Sequence, residues 1–519
     1  MAIKTVINAA GRQVPLEING KPVIPFKGVG KHRPEGGKYS PPIPTCYDYP
    51  DDGNKVVNSL EEALRKCGLC DGMTISTHHH LRDGDLVSNT VFDLAYSMGV
   101  KDLVWFPSAS FPCNEHVIRY LEDGTINRIE GSMNGALGRF VSEGRMKGTA
   151  VLRSHGGRVQ AIQDGEVIID IAVLAAPSAD AFGNAKGTGG TSACGVLGYT
   201  KADYMYAKKV IVVTDNLIDM PCFPMEIEGN YVDYVVVVDK IGIPEKIVSG
   251  TTQITKSPDR LLIAELTASF LEKSGILKDG VTMQAGAGGT SLAIAVFLHE
   301  ILKNKGWKSK FGFGGSTKYM VKMLEEGQMG YILDAQAFDL DAVKSVELNP
   351  NHIPYPVFNA YNYHSKGNLT SMMDIMILGA TEVDLNFNGN VVTHSDGNLL
   401  HGIGGWQNCL HARNVILPLP LFRDRIPVIV DDVTTLCGPG ELIDVIITER
   451  GIAINPLRKD LIKSVKGSGL PVKTILELKE EAEKICGKPE KAQFEEDIVA
   501  AIKWVDGTVI DVIRKIKIQ

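Results

Sequence analysis

An internal repeat limits what this 519-residue chain can fold into more than any other feature of its sequence. Four short motifs of the first half recur in the same order in the second half, roughly 200 residues later. The matched pairs start at Asp170 and Asp374 (continuing to Asp180 with Gly183-Asn184 and to Asp384 with Gly389-Asn390), at Gly187 and Gly402, at Ile211 and Val428, and at Val232 and Ile443. One match is a common coincidence, but four in one order indicate a duplicated domain.

Each half has the sequence pattern of an α/β domain. From residue 56 onward, short β-branched runs alternate with amphipathic stretches, which is typical of βαβ units around a mostly parallel sheet. Strands buried on both faces are predicted at 210–213, 235–238, 428–430 and 445–447, and helices at 258–274 and 474–486. We therefore expect two tandem homologous domains, over 56–250 and 251–519, preceded by an extended N-terminal arm over 1–55. Paired domains of this kind commonly hold a ligand at their interface.

Charge and apolar patterns exclude several classes of function. The net charge of −7 leaves no basic surplus for neutralising nucleic-acid phosphates. No apolar run approaches the roughly 18 residues of a membrane span, and the N-terminus lacks a signal-peptide core. Nine cysteines, an odd and scattered set, are typical of free thiols in a reducing compartment. We expect a cytoplasmic protein with neither a nucleic-acid nor a membrane partner.

A glycine-rich turn is the first candidate for ligand binding. It follows a predicted strand at 281–284 and precedes a predicted helix at 292–302, so its N–H groups and the helix N-terminus would face an anion. A plain tight turn explains such a glycine cluster equally well. The candidate residues are Gly286, Gly288, Gly289 and Thr290.

The first repeat carries a polar loop at the equivalent place, after a predicted strand at 73–76. The loop contains His78, His79, His80 and Arg82. We favour contact of this loop with an anionic substrate, and solvent-exposed loop side chains are the alternative. Adjacent histidines cannot all face one ion, and no carboxylate or cysteine cluster accompanies them, so no metal site is predicted.

The second repeat supplies three further candidates. Glycines Gly402, Gly404 and Gly405 allow a substrate to approach the backbone closely and offer N–H groups to an oxyanion. Asn362 lies in a polar segment at 359–365, and Arg260 lies near the start of a predicted helix. A guanidinium near a helix start suits bidentate binding of a carboxylate or phosphate, and the proximity of Asn362 to the glycine-rich loops makes it a site candidate. An ordinary polar loop and a surface arginine paired with an acid are the competing interpretations.

These motifs carry a family resemblance. The duplicated plan and the loops at 286–289 and 402–405 resemble the CoA-transferase superfamily. The whole chain resembles the α subunits of citrate lyase, most specifically over 75–84, 175–184, 401–406 and 447–456. The resemblance implies two CoA-transferase-like domains and a transferase that moves an acyl-carrier thioester from acetate to citrate, the first step of citrate cleavage to acetate and oxaloacetate.

The resemblance also implies partners and roles. Citrate and acetyl-CoA, or an acetylated acyl carrier protein, would be the substrates, and the β and γ subunits of citrate lyase would join the chain in an oligomer. No covalently bound cofactor is implied, because the carrier supplies a CoA-like prosthetic group. Gly404 and Gly405 would donate to oxyanions. Asn362 and Arg260 would contact citrate or the thioester arm, and the loop at 78–82 would close the site.

One departure from the superfamily bears on the mechanism. Related CoA-transferases use a covalent glutamate on the strand after the glycine-rich turn and helix. Residues 310–316 contain no carboxylate, and Glu300 and Glu325 fall on predicted helices. We therefore expect citrate itself to attack the acetyl thioester and form a mixed anhydride, with Gly314 and Gly315 leaving room for its carboxylate. The alternatives are an acyl-CoA hydrolase or CoA-transferase with a covalent glutamate, and a non-catalytic scaffold that docks the carrier.

Overall fold

The computed structural model describes residues 4–32, 50, 52–248, 253–286 and 288–517. Among these residues, no helix has both the length and the apolar character needed to cross a membrane. The predicted arm over 1–55 and the glycine-rich turn therefore lie partly outside the described residues.

The first half alternates strands and helices. Its strands are β1 (Thr5–Ile7), β2 (Gln13–Pro15), β3 (Glu17–Ile18), β4 (Lys21–Pro22), β5 (Val56–Val57), β6 (Thr74–Ser76), β7 (Leu103–Trp105), β8 (Ile126–Ile129), β9 (Ala150–Leu152), β10 (Ile171–Ala175), β11 (Ser178–Ala179), β12 (Ala185–Lys186), β13 (Lys209–Thr214) and β14 (Tyr234–Val237). Its helices are α1 (Leu60–Lys66), α2 (Val87–Ser97), α3 (Ile118–Glu122), α4 (Ala136–Ser142), α5 (His155–Gln163) and α6 (Thr200–Tyr206).

The second half follows the same alternation. Its strands are β15 (Thr282–Ala285), β16 (Phe311–Ser316), β17 (Ile332–Ala337), β18 (His352–Pro354), β19 (Ile375–Ile377), β20 (Glu382–Asp384), β21 (Gly389–Asn390), β22 (Val415–Pro418), β23 (Phe422–Arg423), β24 (Ile426–Pro427), β25 (Ile429–Val430), β26 (Val445–Thr448), β27 (Gly451–Ile454), β28 (Phe494–Lys503) and β29 (Val509–Ile516). Its helices are α7 (Pro258–Lys273), α8 (Gly289–Lys305), α9 (Lys318–Glu325), α10 (Leu340–Leu348), α11 (Val357–Tyr361), α12 (Trp406–Cys409), α13 (Lys459–Ser464) and α14 (Ile475–Cys486).

Two large sheets with one strand order form the centres of the two domains. The first sheet runs β5-β14-β13-β10-β6-β7-β8, and the second runs β27-β26-β22-β19-β15-β16-β17-β18. All neighbouring strands are parallel except β26 and β27. Six strands of each sheet correspond one to one, from β14 with β26 to β8 with β17. The prediction of two homologous α/β domains with mostly parallel sheets is confirmed.

Equivalent aspartates hold the strand register in both sheets. The Asp170 carboxylate accepts the N–H of Thr74 at 2.8 Å, and Asp374 accepts that of Thr282 at 3.0 Å. The second pair of aspartates behaves in the same way. Asp233 binds the Val210 N–H and Asp444 binds the Val415 N–H. The motifs that start at Asp170 and Asp374, and at Val232 and Ile443, were therefore matched correctly.

One sequence match pairs the wrong strands, and the last residue of another is shifted by two positions. The counterpart of β13, which contains Ile211, is β22, whereas Val428 lies next to β25 in a separate three-stranded sheet. Both segments are Ile/Val runs followed by aspartate, so composition alone confused them. The counterpart of Asn184 is Asn388 and not Asn390. The amides of Asn184 and Asn388 each bind the aspartate four residues earlier, and each accepts one glycine N–H at 2.9 Å.

The glycine loops were also mismatched. Gly405 is the N-cap of α12, and the residue in the same place before α6 is Tyr199. The true counterpart of Gly404-Gly405 is therefore Gly198-Tyr199, and Gly187 to Gly190 belong to an earlier part of the loop. A Cβ at Gly198 would overlap the carbonyl oxygen of Ala335, so close contact between the domains explains that glycine.

A symmetric pair of backbone hydrogen bonds joins the domains at their interface, as a pseudo-two-fold axis requires. The N–H of His155, which opens α5, donates to the Gly404 carbonyl at 2.8 Å. The N–H of Val357, which opens α11, donates to the Gly198 carbonyl at 2.9 Å. Helices α5 and α11 pack on each other beside these bonds. The interface thus brings the loop before α12 of one domain onto the first residue of α5 in the other.

The N-terminal arm folds back on the C-terminal hairpin. Residues 4–32 form the hairpins β1–β2 and β3–β4, so the described part of the arm is not extended. Val14 and Ile18 share a small apolar cluster with Val151 of β9 and Val509 of β29. Strand β28 pairs in parallel with β9, so the last hairpin of the chain, placed within 251–519, completes a sheet with the first domain.

Candidate active site

The histidine loop begins where the central strand β6 ends, and a buried ionic network supports it. Arg158 on α5 binds both carboxylate oxygens of Asp203 at 2.5 and 2.7 Å and donates to the Ser76 hydroxyl at 2.7 Å. His78 Nε2 lies 3.2 Å from Asp203, although the angle is not that of a hydrogen bond. Burial raises the pKa of Asp203, but Arg158 and His78 outweigh it and hold that pKa below its usual range. The network fixes the start of the loop and keeps Asp203 ionised.

Beyond this network, four aromatic rings pack together at the domain interface. The ring centroids of His79 and His155 lie 4.5 and 4.6 Å from that of Tyr199. His79 Nδ1 lies 2.6 Å from the hydroxyl oxygen of Ser108. His80 Nε2 accepts the Tyr199 N–H at 3.4 Å, so this nitrogen carries no proton. The three side chains of the histidine loop are therefore buried and ordered by specific partners.

Burial keeps these histidines neutral. It lowers the pKa of His155 to about 3, with the nearby Arg158 acting in the same direction. Burial likewise lowers the pKa of His79 and of His80 well below the ordinary value, and for His79 the next cause is His155. A neutral imidazole can donate or accept one hydrogen bond but cannot attract an anion by its charge. The loop therefore offers polar contacts, and its positive charge comes from Arg82.

Arg82 is held between aromatic rings of both domains. Its guanidinium carbon lies 5.2 Å from the ring centre of Phe111 and 4.6 Å from that of Phe338. Burial lowers the pKa of Arg82 to about 10, so the side chain stays protonated at neutral pH. Cation–π contacts on two sides hold a buried guanidinium in place.

Two side chains of β17 and its following loop join the histidine loop to the second domain. Gln336 donates from Nε2 to the carbonyl of His79 at 3.1 Å and accepts the Tyr199 hydroxyl at 3.2 Å. Phe338 lies against Arg82. These contacts place the ends of β16 and β17 directly opposite the loop from the first domain.

The strand predicted to lack a carboxylate is β16, and other side chains occupy the space beside its glycines. A Cβ at Gly315 would overlap the ring of Phe338, so that ring already fills the room predicted there for a substrate carboxylate. At Gly314 the φ of 111° favours glycine, and a Cβ would lie 3.2 Å from Cγ of Gln284. Glu300 and Glu325 lie exposed on α8 and α9, as predicted.

The buried carboxylate of Asp334, next to β16, is already hydrogen-bonded within the sheet. Asp334 on β17 accepts the Ser316 hydroxyl at 2.6 Å and the Gln336 N–H at 3.0 Å, and His352 Nε2 lies 3.1 Å away. These three contacts hold Asp334 inside the sheet. Its role is to fix β17 and, through the backbone, Gln336.

The loop before α12 presents backbone donors to the interface. The φ angle changes from 62° at Gly404 to −83° at Gly405, an alternation typical of backbone concavities that bind anions. Within the described residues no hydrogen bond uses either N–H group. Gly402 differs, because its N–H donates to Ser132 of the first domain at 2.9 Å. The loop is thus tied to the first domain and has two N–H groups available.

The remaining predicted residues are more dispersed. Gly286 and Gly288 lie in the turn from β15 into α8, where Ala287 lies outside the described residues, and Gly289 and Thr290 begin α8. Arg260 is exposed on α7. The Asn362 side chain is buried and accepts the backbone N–H of His364. The ring Nε2 of His364 lies 2.6 Å from the carboxylate of Asp164 in the first domain. Asn362 braces this interface loop, and among the described residues no hydrogen bond joins it to Gly404 or Gly405.

Several residues of the cluster were missed by sequence reasoning. His155 precedes Gly156-Gly157 and Tyr199 follows Gly198, but neither segment was singled out, and only the packing of the two domains unites them with Gln336. Correct matching of the repeat would have paired Tyr199 with Gly405 and marked it as a site residue. Within the described residues, no group of three or more His, Cys, Asp or Glu side chains is arranged to hold a metal ion.

Two parallel-sheet domains, with free loop N–H groups and a neutral histidine cluster at their interface, define a CoA-transferase-like enzyme. The family model of the citrate lyase alpha subunit matches residues 53–516. This chain belongs to the citrate lyase alpha-subunit family, and it is a transferase.

Individual relatives agree with this assignment. The citrate lyase alpha chain of Klebsiella pneumoniae is 41% identical over 465 residues, which are 89% of this chain and 92% of the relative. A putative alpha subunit of citrate lyase from Streptococcus mutans, solved in complex with citrate, is 40% identical with a TM-score of 0.93, covering 98% of this chain and 100% of that one. A Pseudomonas malonate decarboxylase structure, at 16% identity and a TM-score of 0.61 over 83% of this chain and 86% of its own, shares the fold alone.

Proposed function

We propose that this chain moves the acyl-carrier thioester from acetate to citrate, so that acetyl-carrier and citrate give citryl-carrier and acetate. Family membership supports the reaction class, and the Streptococcus mutans relative holds citrate. The observation that carries the proposal is the pair of available N–H groups at Gly404 and Gly405, beside a neutral His155. Acyl transfer needs such donors because both of its tetrahedral states carry an oxyanion.

The reaction proceeds through a mixed anhydride. A citrate carboxylate attacks the acetyl thioester carbonyl, the C–S bond breaks, and the carrier leaves as a thiolate. The thiolate then attacks the citryl carbonyl of the anhydride, and acetate leaves with the bridging oxygen. The protein's part is to position the reactants and to donate hydrogen bonds to the two oxyanions. One such donor contributes about 3–4 kcal/mol in well-studied hydrolases.

Among the described residues, the carboxylates on and around β16 are poorly placed to form a covalent enzyme intermediate, which supports this route. Strand β16 carries no carboxylate, Asp334 is bound within the sheet, and Glu300 and Glu325 face away on helices. An acyl-CoA hydrolase or CoA-transferase with a covalent glutamate, and a docking scaffold without activity, are the competing functions.

The thioester is supplied by a partner molecule. Acetyl-CoA or an acetylated acyl carrier protein brings the acyl group on a CoA-like arm, and no cofactor is attached to this chain. The β and γ subunits of citrate lyase complete a complex in which citryl-carrier is cleaved. Arg260 and the turn at 286–290 contact the arm or citrate, and Arg82 supplies positive charge inside the interface.

The first experiment is a transferase assay with the purified chain. Acetyl-CoA and citrate are mixed with the enzyme, citryl-CoA is followed by mass spectrometry, and borohydride is added in a parallel sample to trap a glutamyl thioester. We expect citryl-CoA without a trapped adduct. A trapped glutamate would establish the covalent route instead. No product, even with the acetylated carrier protein as donor, would contradict the proposed function and favour the scaffold.

A further inference from the structure

A second ligand site is suggested by a cavity whose lining does not include the glycine loops. The cavity has a volume of about 340 Å³ and lies between the N-terminal hairpin β3–β4, strands β8 and β9, and the end of β28. Its charged lining residues are Lys21, Arg128, Glu130, Arg153, Glu166 and Lys503. A volume of this size is within the range of small-molecule sites.

The buried charges that line the cavity do not balance. Arg153 bridges Glu130 and Glu166, with both Nη–Oε distances at 2.8 Å. Glu130 is shared with Arg128 at 2.9 Å, and Glu166 is shared with Lys503 at 3.0 Å. Three cations therefore share two carboxylates. The side chains of Arg153 and Lys503 are only 6% and 5% exposed, so the surplus charge is screened poorly by water.

The charged cluster also contains a buried donor without a partner. Arg153 Nε is buried and has no hydrogen-bond partner among the described residues. The amine of Lys21, which enters from the N-terminal hairpin, donates to the main-chain carbonyl of Glu166 at 3.2 Å and brings a further positive charge. Burial lowers the pKa of Lys503, with Glu166 acting in the opposite direction and Arg153 in the same one. Buried polar groups without partners commonly mark a missing ligand or ion.

We propose that this cavity binds a small dianion with carboxylate or phosphate oxygens. Two negative charges would neutralise the surplus of the buried cluster together with Lys21. A guanidinium presents parallel donors that match the oxygens of both groups. The lining residues do not include the glycine loops or the histidine cluster, so this ligand site is separate from the one proposed for the transferase reaction.

Calorimetric titration at constant ionic strength tests the proposal. Inorganic phosphate and succinate are titrated separately into the full chain at pH 7.5, against sodium chloride. Lys503→Met removes the surplus buried cation and keeps most of its volume, and Lys479→Met is the matched control. Lys479 is also buried and pairs with two carboxylates, Asp431 and Glu483, but it does not line the cavity.

We expect at least one of the two dianions to bind the unaltered chain. Lys503→Met should weaken that binding at least about tenfold, while Lys479→Met leaves it unchanged. The relative affinities of phosphate and succinate show which oxygen chemistry the site prefers. If neither dianion binds, or if both variants bind equally well, the proposal is overturned.

A second variant keeps the test decisive if Lys503→Met fails to fold. Lys21→Met alters an exposed residue of the hairpin and should weaken binding roughly two- to fivefold. Lys27→Met is its control, because Lys27 is an exposed lysine of the same arm that does not line the cavity. Equal affinity in these two variants would also contradict the site.

Discussion

At the scale of single residues, burial decides what the interface can do. His155 and His79 are held neutral, Arg82 stays charged between two aromatic rings, and Gly404 and Gly405 keep unused N–H groups. A neutral, preorganised set of donors suits a reaction in which charge develops on oxygen. Such donors need no reorganisation when the oxyanion forms.

Acid should destabilise the fold through the buried histidines. The folded-state pKa of His155 is about 3, below the value near 6.5 of an unfolded histidine. Between these values the unfolded chain binds more protons, so stability is present above pH 6.5 and is lost as the pH falls. Each such group contributes up to about 1.4 kcal/mol per pH unit. His155→Gln should therefore flatten the fall in thermal midpoint between pH 6.5 and 4.

The matched control for this slope is His116→Gln, which alters an exposed histidine paired with Asp93. Circular dichroism melts of both variants and of the unaltered chain, taken at half-unit pH steps, give the comparison. An unchanged slope in His155→Gln would show that this ring does not remain neutral in the folded chain.

Gly404→Ala should lower kcat about 100-fold, the effect of losing one oxyanion donor. The φ of 62° costs a non-glycine residue roughly 1–2 kcal/mol, and the added Cβ has only His155 Nε2 near it, at 3.9 Å. The peptide is therefore expected to turn and to misdirect its N–H rather than to unfold the loop. Steady-state kinetics with acetyl-CoA and citrate measure the effect.

Gly467→Ala is the control for backbone strain, because Gly467 has a φ of 76° and open space around its Cβ position. Its kcat should equal that of the unaltered chain. Equal losses in both variants would mean that Gly404→Ala acts through stability, and Gly404 would then lose its assigned role.

At the scale of elements, the repeat allows equivalent residues of the two domains to be compared directly. Asn184→Ala and Asn388→Ala each remove an amide that accepts one glycine N–H and donates to one aspartate. Each should cost about 1–3 kcal/mol, because a buried N–H loses its partner. Thermal melts of the two variants should show similar losses. If only one variant lost much thermal stability, the two asparagines would differ in how strongly they stabilise their domains.

The elements also show what a sequence can and cannot predict. Central strands such as β13 and β26, and helices α7 and α14, follow from runs of apolar residues and from local caps. Assigning Val428 to the wrong strand followed from the same logic, since two short Ile/Val runs differ only in which neighbours they pair with. Pairing is set by long-range packing, and Tyr199 and Gln336 meet at the site for that reason alone.

At the scale of the whole molecule, the first domain depends on the end of the chain. Strand β9 pairs with β28, and the cluster of Val14, Ile18 and Val151 includes Val509. A fragment of residues 1–250 should lose most of its soluble yield, because it exposes an apolar strand edge. Co-expression with 251–519 should restore solubility and give a co-purifying pair, whereas 251–493 should not. Soluble 1–250 on its own would contradict this dependence.

The exchanged hydrogen bonds between the domains use only backbone atoms. His155 donates its N–H to the carbonyl of Gly404, and Val357 donates its N–H to that of Gly198. A contact made by main-chain groups persists when the side chains beside it change. The two domains can therefore carry a tyrosine at position 199 and a glycine at 405 without losing these contacts. The backbone contacts between the domains are symmetric, whereas the side chains beside them are not.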